Sequence, residues 1–391
     1  MKTSSQNPGD KRMKILRFAQ HLGTRMLLIA VFLLPLIAGF TTPVAADDKK
    51  NVQHVVYTMT NAASGNEVVV LQGSSIDSLS QTTFSTGGLG SGSGLGSQGA
   101  VILSDNHRWL FVVNAGSNDV SVFAVGKNGL KLTDVADSGG IMPISLTFQG
   151  RFLYVLNAGG SGNISGFSLG NNGKLTPLDG STQPLSNGGV GDSPQPAQIS
   201  FRPKGNLLVV TEKMTNLIVT YEVHNGIAGP PVTHPSAGMT PFGFAFDRRG
   251  LLIVSEAAGG APGASTMSSY RVNDDEFEVI SPAVATTQTA ACWVVISKDG
   301  KYAYDTNTGS GSISSFTIGS DGSLTLLDAQ AGVTGDGSSP IDMALTNDGS
   351  FLLALGAGSS MIHAFEVNAD GSLVPSGEVS VPAGSVGLAS R

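Results

Sequence analysis

Hydrophobic and polar residues alternate along this chain in one pattern that recurs seven times between Val55 and Arg391. Each copy is a short apolar run that ends in a polar residue, then a turn rich in Gly, Ser and Asn, then a second alternating run. The first runs are VVYTMT, WLFVVN, FLYVLN, LLVVTE, LLIVSE, YAYDTN and FLLALG. Alternation with a period of two predicts β-strands. We find no apolar stripe with helical spacing after residue 50, so the pattern predicts an all-β fold.

The spacing of the copies predicts the architecture. Successive copies begin 54, 43, 55, 44, 51 and 49 residues apart, which is the length of one β-propeller blade and too long for a leucine-rich repeat. The last copy contains four strands, PIDMALTN, FLLALGA, MIHAFEVN and SLVPSGEV, with Asp348-Gly349 and Asp370-Gly371 at two of the turns. Asp-Gly pairs between alternating runs are a hairpin signal. We therefore predict a seven-bladed β-propeller of four-stranded antiparallel blades.

The two ends of the repeat region predict how the ring closes. The first copy starts at His54 and lacks an innermost strand, whereas the chain ends with a spare apolar run, GSVGLAS. That run can supply the missing strand, which would leave no open sheet edge. We expect blade one to be closed by the C-terminal strand.

Residues 1–46 have the features of a targeting segment. Basic residues precede an apolar stretch at residues 26–40, and Val44-Ala45-Ala46 offers the small residues of a cleavage site. We predict a signal peptide cleaved after Ala46, and a propeller domain at residues 47–391 that is periplasmic or secreted. An uncleaved membrane anchor is the alternative, although 15 apolar residues are short for a bilayer core of about 30 Å.

Composition and net charge limit the classes of ligand and partner that this chain is expected to bind. The formal net charge is −7 and no basic stripe is present, so nucleic-acid binding is not expected. The histidines are scattered without ligand spacing, and we predict no metal site and no cofactor. A Gly-x-Gly-x-x-Gly motif at residues 94–99 lies in a low-complexity loop without the strand and helix of a dinucleotide site. We expect a monomer that does not bind membranes after cleavage. Cys292 is the only cysteine, so no intramolecular disulfide forms.

Several segments carry a family resemblance. The strand runs that end in Asn or Glu, the following strands DVSVFAV and SISSFTI, and the segments NGKLTPL and DGSLTLL resemble the seven-bladed lactonase family. That family includes propeller-type 6-phosphogluconolactonases and fungal carboxymuconate-lactonising enzymes. LFVVNAGSNDVSVF also resembles the YVTN repeats of surface and periplasmic propellers, which mostly bind partners.

The resemblance implies one catalytic residue in this chain. At three other positions where the family has catalytic residues, this chain has different residues. Glu256 in LIVSEAA falls on the family's strand-terminal glutamate. The family's Pro-Arg-His falls on Pro241-Phe242-Gly243, its histidine-bearing inner strand on QPAQIS, and its Asn-Arg on Asn307-Thr308. Glu256 is therefore the candidate general base, without the expected cationic or imidazole partners.

Polar residues at strand ends define a candidate ligand-binding face. In a propeller these ends share one face with the connections between blades, and the longest such connections are expected at residues 84–99, 179–196 and 328–340. The remaining candidate site residues on this face are Glu212, Asn114, Asn157, Asn307, Thr308 and Gln198. A structural alternative is that the asparagines only bind local backbone at turns. We expect Trp293 to pack between blades.

Two functions remain open at this point. The first is a binding module for a small molecule, glycan or protein at the loop-rich face. The second is a lactone hydrolase that uses Glu256. A hydrolase needs a cation within hydrogen-bond reach of that carboxylate, and Lys213, Arg271 and Arg202 are the candidates.

Overall fold

In a computed structural model, which describes residues 53–127, 129–273 and 276–391, the chain folds into seven antiparallel sheets. The predicted signal peptide, residues 1–46, lies outside the described residues. Among the described residues there is no helix whose length and apolar character suit a bilayer span. Each sheet is one blade, and we name its strands A to D from the innermost strand outward. The predicted seven-bladed propeller is confirmed.

The blades follow one another along the chain, with strands A to D in sequence order except in blade 1. Blade 1 consists of Val386–Ser390, His54–Met59, Glu67–Gly73 and Ser80–Ser85. Blade 2 consists of Val101–Leu103, Trp109–Asn114, Asp119–Gly126 and Gly129–Asp137. Blade 3 consists of Pro143–Gln149, Phe152–Asn157, Asn163–Leu169 and a divided strand D, Leu175–Pro177 and Gln183–Pro184.

Blade 4 also has a divided outer strand. It consists of Pro196–Phe201, Leu207–Glu212, Leu217–His224, and then Ile227–Ala228 and Val232–Pro235. Blade 5 consists of Pro241–Phe246, Leu251–Glu256, Thr266–Val272 and Phe277–Ala285. Blade 6 consists of Ala291–Ile296, Tyr302–Asn307, Ser312–Ile318 and Leu324–Val333. Blade 7 consists of Pro340–Leu345, Phe351–Gly356, Met361–Val367 and Leu373–Ser380. Two single 3₁₀ turns, Ile76–Ser78 and Ala258–Gly260, interrupt loops.

The C-terminal strand closes the ring as predicted. Val386–Ser390 pairs antiparallel with His54–Met59 and becomes strand A of blade 1. Backbone hydrogen bonds in both directions between Val55 and Arg391, at 3.2 and 3.0 Å, extend this pairing to the last residue. The first and last parts of the propeller therefore share one sheet.

Alternation along strand B buries one set of side chains against each neighbouring blade. In blade 5, Leu252 and Val254 pack with residues of blade 4, whereas Leu251 and Ile253 pack with residues of blade 6. A propeller strand has sheet neighbours on both sides, so both sets are apolar. This explains why the strand B runs read as nearly continuous hydrophobic segments.

The ring has two distinct faces. The B–C loops and the D–A connections between blades lie on one face, which we call the loop face. The A–B and C–D turns lie on the opposite, turn face. At the Asp348-Gly349 turn, Gly349 has φ +76° and Ser350 N–H donates to Asp348 Oδ1 over 3.0 Å, which is the chemistry that the Asp-Gly pair predicts.

Two of the predicted long connections are shorter than expected. Residues up to Val333 belong to strand D of blade 6, and Gln183–Pro184 belongs to strand D of blade 3. Both segments find hydrogen-bond partners on the adjacent strand C, so they extend the sheet. The loops that remain are residues 334–339 and 185–195.

Candidate functional site

Five of the predicted site residues end strand B of their blades, and all five are buried at 0% exposure: Asn114, Asn157, Glu212, Glu256 and Asn307. Asn157 Nδ2 donates to Ser138 O over 3.2 Å, and Ser186 N–H donates to Glu212 Oε1 over 3.0 Å. Ser138 and Ser186 lie in the connections that enter blades 3 and 4. In these two blades the strand B terminus thus binds the connection that leads into the same blade.

The other two asparagines make a related set of contacts. Asn114 Nδ2 donates to Ser121 Oγ over 2.7 Å, and Ser121 in turn donates to Thr86 O in the incoming connection. Asn307 Nδ2 donates to Ser314 Oγ over 2.8 Å. Both asparagines therefore bind serine side chains of strand C in their own blade, and not the turn backbone that the structural alternative expected.

Glu256 is enclosed by hydrogen-bond donors. Gly238 N–H and Ser236 Oγ of the incoming connection donate to Oε1 over 3.0 and 3.3 Å, and Thr266 Oγ1 donates to Oε2 over 2.5 Å. Tyr270 OH lies 3.4 Å from Oε1. Burial raises the pKa of Glu256, and hydrogen bonds, the strongest of them from Ser268, act in the opposite direction. Every described partner is neutral.

The approach of the incoming connection to Glu256 depends on a glycine. A Cβ at Gly238 would lie 2.4 Å from the Glu256 carboxyl group. The connection therefore closes tightly over the carboxylate. Glu212 is likewise held by neutral donors. Ser186 Oγ of its incoming connection and Thr215 Oγ1 of the following loop donate to Oε2 over 2.5 and 2.8 Å.

None of the three candidate cations contacts Glu256 among the described contacts. Arg271 pairs with Glu278, Arg202 donates to Val272 O over 3.0 Å, and Lys213 donates to Gly96 O over 2.7 Å. The cation that a lactonase mechanism at Glu256 would need does not come from these three residues.

The last two predicted residues join neighbouring blades. Gln198 exchanges two hydrogen bonds with the backbone of Phe244, with Nε2 to O at 3.0 Å and N to Oε1 at 2.6 Å. Thr308 Oγ1 donates to Pro340 O over 2.9 Å. Among the described contacts, no hydrogen bond joins any two of the seven predicted site residues.

The mouth of the central channel on the loop face is filled by residues 94–99, which we call the plug. Ser97 Oγ donates to Ile144 O over 2.8 Å, Gln98 N–H donates to Ala197 O over 3.2 Å, and Gln98 Nε2 donates to Val294 O over 3.0 Å. These acceptors belong to strands A of blades 3, 4 and 6. A segment that contacts strands A on both sides of the ring lies on its axis. The Gly-x-Gly-x-x-Gly motif thus has a structural role, since it fills the channel mouth.

Aromatic and cationic residues lie beneath the plug. Trp293 Nε1 donates to Ser97 O over 2.9 Å, and its ring lies 5.0 Å from that of Phe242. Lys213 Nζ lies 4.8 Å from the centroid of Phe242, and burial lowers the pKa of this lysine to about 8. Trp293 therefore faces the channel mouth and not the space between blades that the sequence favoured.

Gly243 has no room for a side chain. A Cβ at this position would lie 2.4 Å from both Gln98 Oε1 and Cys292 O. The family resemblance places an imidazole at this position. In this chain Gln98 of the plug occupies the space that such a side chain would need.

Two buried carboxylates, Asp305 and Asp342, were not predicted from the sequence. Asp305, in strand B of blade 6, has no hydrogen-bond partner on either carboxylate oxygen, and burial raises its pKa well above the ordinary value. Asp342 lines a cavity of about 260 Å³ in the central channel, where its Oδ2 has no partner. In the part of the chain that the structure describes, no three His, Cys, Asp or Glu side chains group as a metal site.

Comparison with solved structures supports the fold. A Bacteroides fragilis propeller, provisionally identified as a 6-phosphogluconolactonase, has a TM-score of 0.64 at 20% identity and covers 88% of this chain and 100% of its own. The Pseudomonas aeruginosa periplasmic gluconolactonase has a TM-score of 0.64 at 16% identity, with 86% and 98% covered. A Lactobacillus plantarum protein has a TM-score of 0.67 at 16% identity, with 87% and 100% covered. At these identities the likeness concerns the fold alone.

A search of curated proteins finds no match. The model of one protein family, described as lactonase, 7-bladed beta-propeller, matches residues 50–184 and 264–387. These ranges make up more than half of the chain. They leave out residues 185–263, which contain Glu212, Lys213, Phe242, Gly243 and Glu256. The chain belongs to the seven-bladed β-propeller lactonase family.

Proposed function

We propose that this lactonase-family propeller is exported and acts as a binding module on its loop face, without hydrolysing lactones through Glu256. The observation that carries this proposal is the enclosure of Glu256. Four neutral donors from blade 5 and its incoming connection surround the carboxylate. The carboxylate therefore holds the incoming connection in place through these hydrogen bonds.

Lactone chemistry makes demands that this environment does not meet. Ring opening places negative charge on the carbonyl oxygen, and removing one group that stabilises such a charge typically costs about 10²–10³ in rate. A general base must also reach the water that it activates. Glu256 is 0% exposed, and the 236–238 segment lies between it and solvent. Both requirements therefore count against Glu256 as the base of a hydrolase.

The plug supports the same proposal. It occupies the channel mouth, where Lys213 and Trp293 bind its backbone. The catalytic imidazole that the family resemblance implies would collide with Gln98 at Gly243. A rigid ring with a closed mouth offers its loops for recognition, as scaffolds with surface loops commonly do.

Lactone hydrolysis is the second candidate. Family membership and a gluconolactonase among the similar structures support hydrolysis more than binding, whereas the enclosure of Glu256 and the plug support binding. One feature of the site fits hydrolysis. Lys213 is a lysine at the channel mouth, and burial lowers its pKa to about 8. A substrate that displaced the plug would meet this amine and not Glu256.

The two candidates are separated by a hydrolysis assay on the purified mature protein. Glucono-1,5-lactone and 6-phosphogluconolactone are supplied separately, and proton release is followed. We expect the rate to equal that of buffer, and to be the same for Glu256→Gln and for the exposed control Glu366→Gln. A kcat/KM of about 10⁴ M⁻¹s⁻¹ that Glu256→Gln abolishes and Glu366→Gln preserves would overturn the proposal. Turnover that Lys213→Met abolishes and Glu256→Gln preserves would also overturn the proposal, and would identify the Lys213 amine as the required group.

A further inference from the structure

Exposed apolar side chains are distributed unevenly over the molecule. Among the described residues, the large apolar side chains that are exposed lie either on outer strands D or on the loop face. None lies in a turn of the turn face. The loop-face set, exposed at 43% to 77%, consists of Leu89, Ile141, Val190, Met214 and Met239. We call these five residues the apolar arc, because they follow one another around the ring from the connection between blades 1 and 2 to the connection between blades 4 and 5.

The loops hold the arc in a fixed arrangement. Gly159 N–H donates to Ile141 O over 2.8 Å, and Ala258 N–H donates to Met239 O over 3.0 Å. Asn216 Oδ1 accepts a bond from Thr240 N–H over 2.7 Å, which links the loop that carries Met214 to the connection that carries Met239. The exposed side chains therefore stand on loops whose backbone is already ordered. Little loop ordering is needed when a partner binds.

Charge is also divided between the faces. In the B–C loops and D–A connections the charged residues are Lys213, Asp192 and Asp336, and Lys213 is bound to the plug. Asp137 ends a strand D at the edge of this face and is exposed. Ten of the 14 lysines and arginines after residue 52 lie in turns of the turn face: Arg108, Lys127, Arg151, Lys174, Arg202, Lys204, Arg248, Arg249, Lys298 and Lys301. The loop face is therefore apolar and acidic.

The carboxylates lie close in sequence to members of the apolar arc. Asp137 precedes Ile141 by four residues, and Asp192 follows Val190 by two. A complementary surface would place apolar side chains against the arc and cationic side chains beside them. An anionic membrane, a nucleic acid or a phosphorylated sugar would instead meet carboxylates.

We propose that the loop face docks a polypeptide whose apolar side chains are flanked by lysine or arginine. This inference rests on the proposed binding function and specifies its partner. Exposed methionines suit such a surface, because their flexible and polarisable side chains adapt to different apolar contacts. The carboxylates steer the cationic partner and set its orientation, and the arc supplies the contact area.

The probe for this proposal is a labelled amphipathic peptide of leucine and lysine, with two analogues in which glutamate or serine replaces every lysine. Binding to the full mature protein is measured by fluorescence anisotropy at low and at high salt. We expect the lysine peptide to bind most tightly, and we expect Met214→Ser/Met239→Ser to weaken it about tenfold or more. Asp137→Asn/Asp192→Asn should weaken it at low salt and reduce the salt dependence.

Matched controls carry the same substitutions elsewhere on the molecule. Val279→Ser/Val374→Ser changes exposed apolar residues of outer strands, and Asp321→Asn/Asp370→Asn changes exposed carboxylates of the turn face. Neither should alter the dissociation constant. Equal losses in the controls would show non-specific adhesion and overturn the proposal, as would the absence of saturable binding up to about 1 mM.

The serine and glutamate peptides test the cationic character of the partner separately from the binding function itself. If the serine or glutamate peptide binds as tightly as the lysine peptide and with the same dependence on Met214 and Met239, the cationic partner is excluded while loop-face binding stands. If the lactone assay shows turnover at Glu256 or Lys213, the binding function itself fails.

Discussion

Trp293 donates its indole N–H to the carbonyl oxygen of Ser97 over 2.9 Å, although 196 residues separate the two in sequence. Ser97 belongs to the plug, and Trp293 to strand A of blade 6. The bond holds a glycine-rich connection on the axis of the ring. Together with the bonds from Lys213 and Gln98, it accounts for the closed channel mouth.

Removal of this bond should loosen the plug. We expect Trp293→Phe to lower the free energy of unfolding by about 1–3 kcal/mol, because it leaves the buried Ser97 carbonyl without its indole partner. Hydrogen exchange of the 94–99 amides should accelerate. Trp109→Phe is the control, since Trp109 lies in strand B of blade 2 and makes no described contact with the plug. Unchanged plug exchange in Trp293→Phe would contradict the role assigned to the indole.

A methyl group at Gly243 should be costly. Gly243→Ala places Cβ 2.4 Å from Gln98 Oε1 and from the backbone carbonyl of Cys292, and that backbone cannot rotate away as a side-chain end can. We expect a loss of about 1–3 kcal/mol, as for overpacked cores, measured by urea denaturation. Gly94→Ala, where a Cβ meets nothing within 4 Å, should be nearly neutral. Equal stability of the two variants would refute the close approach.

Asp305 should be replaceable by valine with a gain in stability. Four other blades have valine at the same position of strand B, namely Val112, Val155, Val210 and Val254. Both oxygens of Asp305 are buried without a partner, so Asp305→Val should stabilise the fold by about 1–3 kcal/mol at pH 7.

The pH dependence of that gain has a definite sign. Burial raises the pKa of Asp305 in the folded state, so the folded protein binds its proton more tightly than the unfolded chain does. The contribution to stability is present below the unfolded pKa and is lost as pH rises toward the folded pKa. The advantage of Asp305→Val over wild type should therefore grow from pH 4 upward, as measured by the free energy of unfolding at several pH values. A constant difference would rule out a raised pKa.

Deletion of residues 384–391 should open blade 1. The deletion removes Val386–Ser390, which is strand A of that blade, and exposes the edge of His54–Met59. We expect a loss of several kcal/mol, since an entire strand of buried contacts disappears, together with a tendency to aggregate through the free edge. Thermal melting and size-exclusion chromatography provide the measurement. A truncated protein that melts at the wild-type temperature would contradict the closure.

The mature protein should begin at Asp47. The basic region, the apolar stretch and Val44-Ala45-Ala46 together predict cleavage after Ala46. N-terminal sequencing of protein from the periplasmic fraction tests this. Full-length protein found only in membranes would instead support the uncleaved anchor.

The sequence by itself determined the blades and their closure. Alternating runs, Asp-Gly turns and a period near 50 residues are local signals, and each hairpin satisfies its hydrogen bonds among residues close in sequence. Even the pairing of His54–Met59 with the C-terminal strand was predictable, because one strand was missing at the start and one was spare at the end. The family resemblance likewise depends on these repeats, and the family match confirmed it.

Only the tertiary structure decided which polar residues face the channel. Side chains on a strand alternate, so a shift of one residue reverses the direction in which a side chain points. Glu256 occupies the position of Asn114 and Asn157 and binds its incoming connection, whereas the next residue, Ala257, packs with Phe242 and Trp293 at the channel mouth. The plug was equally hidden in the sequence, because a glycine-rich segment has no periodicity and its partners are distant in the chain. Repeat patterns specify contacts within a blade, but the contents of the channel depend on contacts across the whole ring.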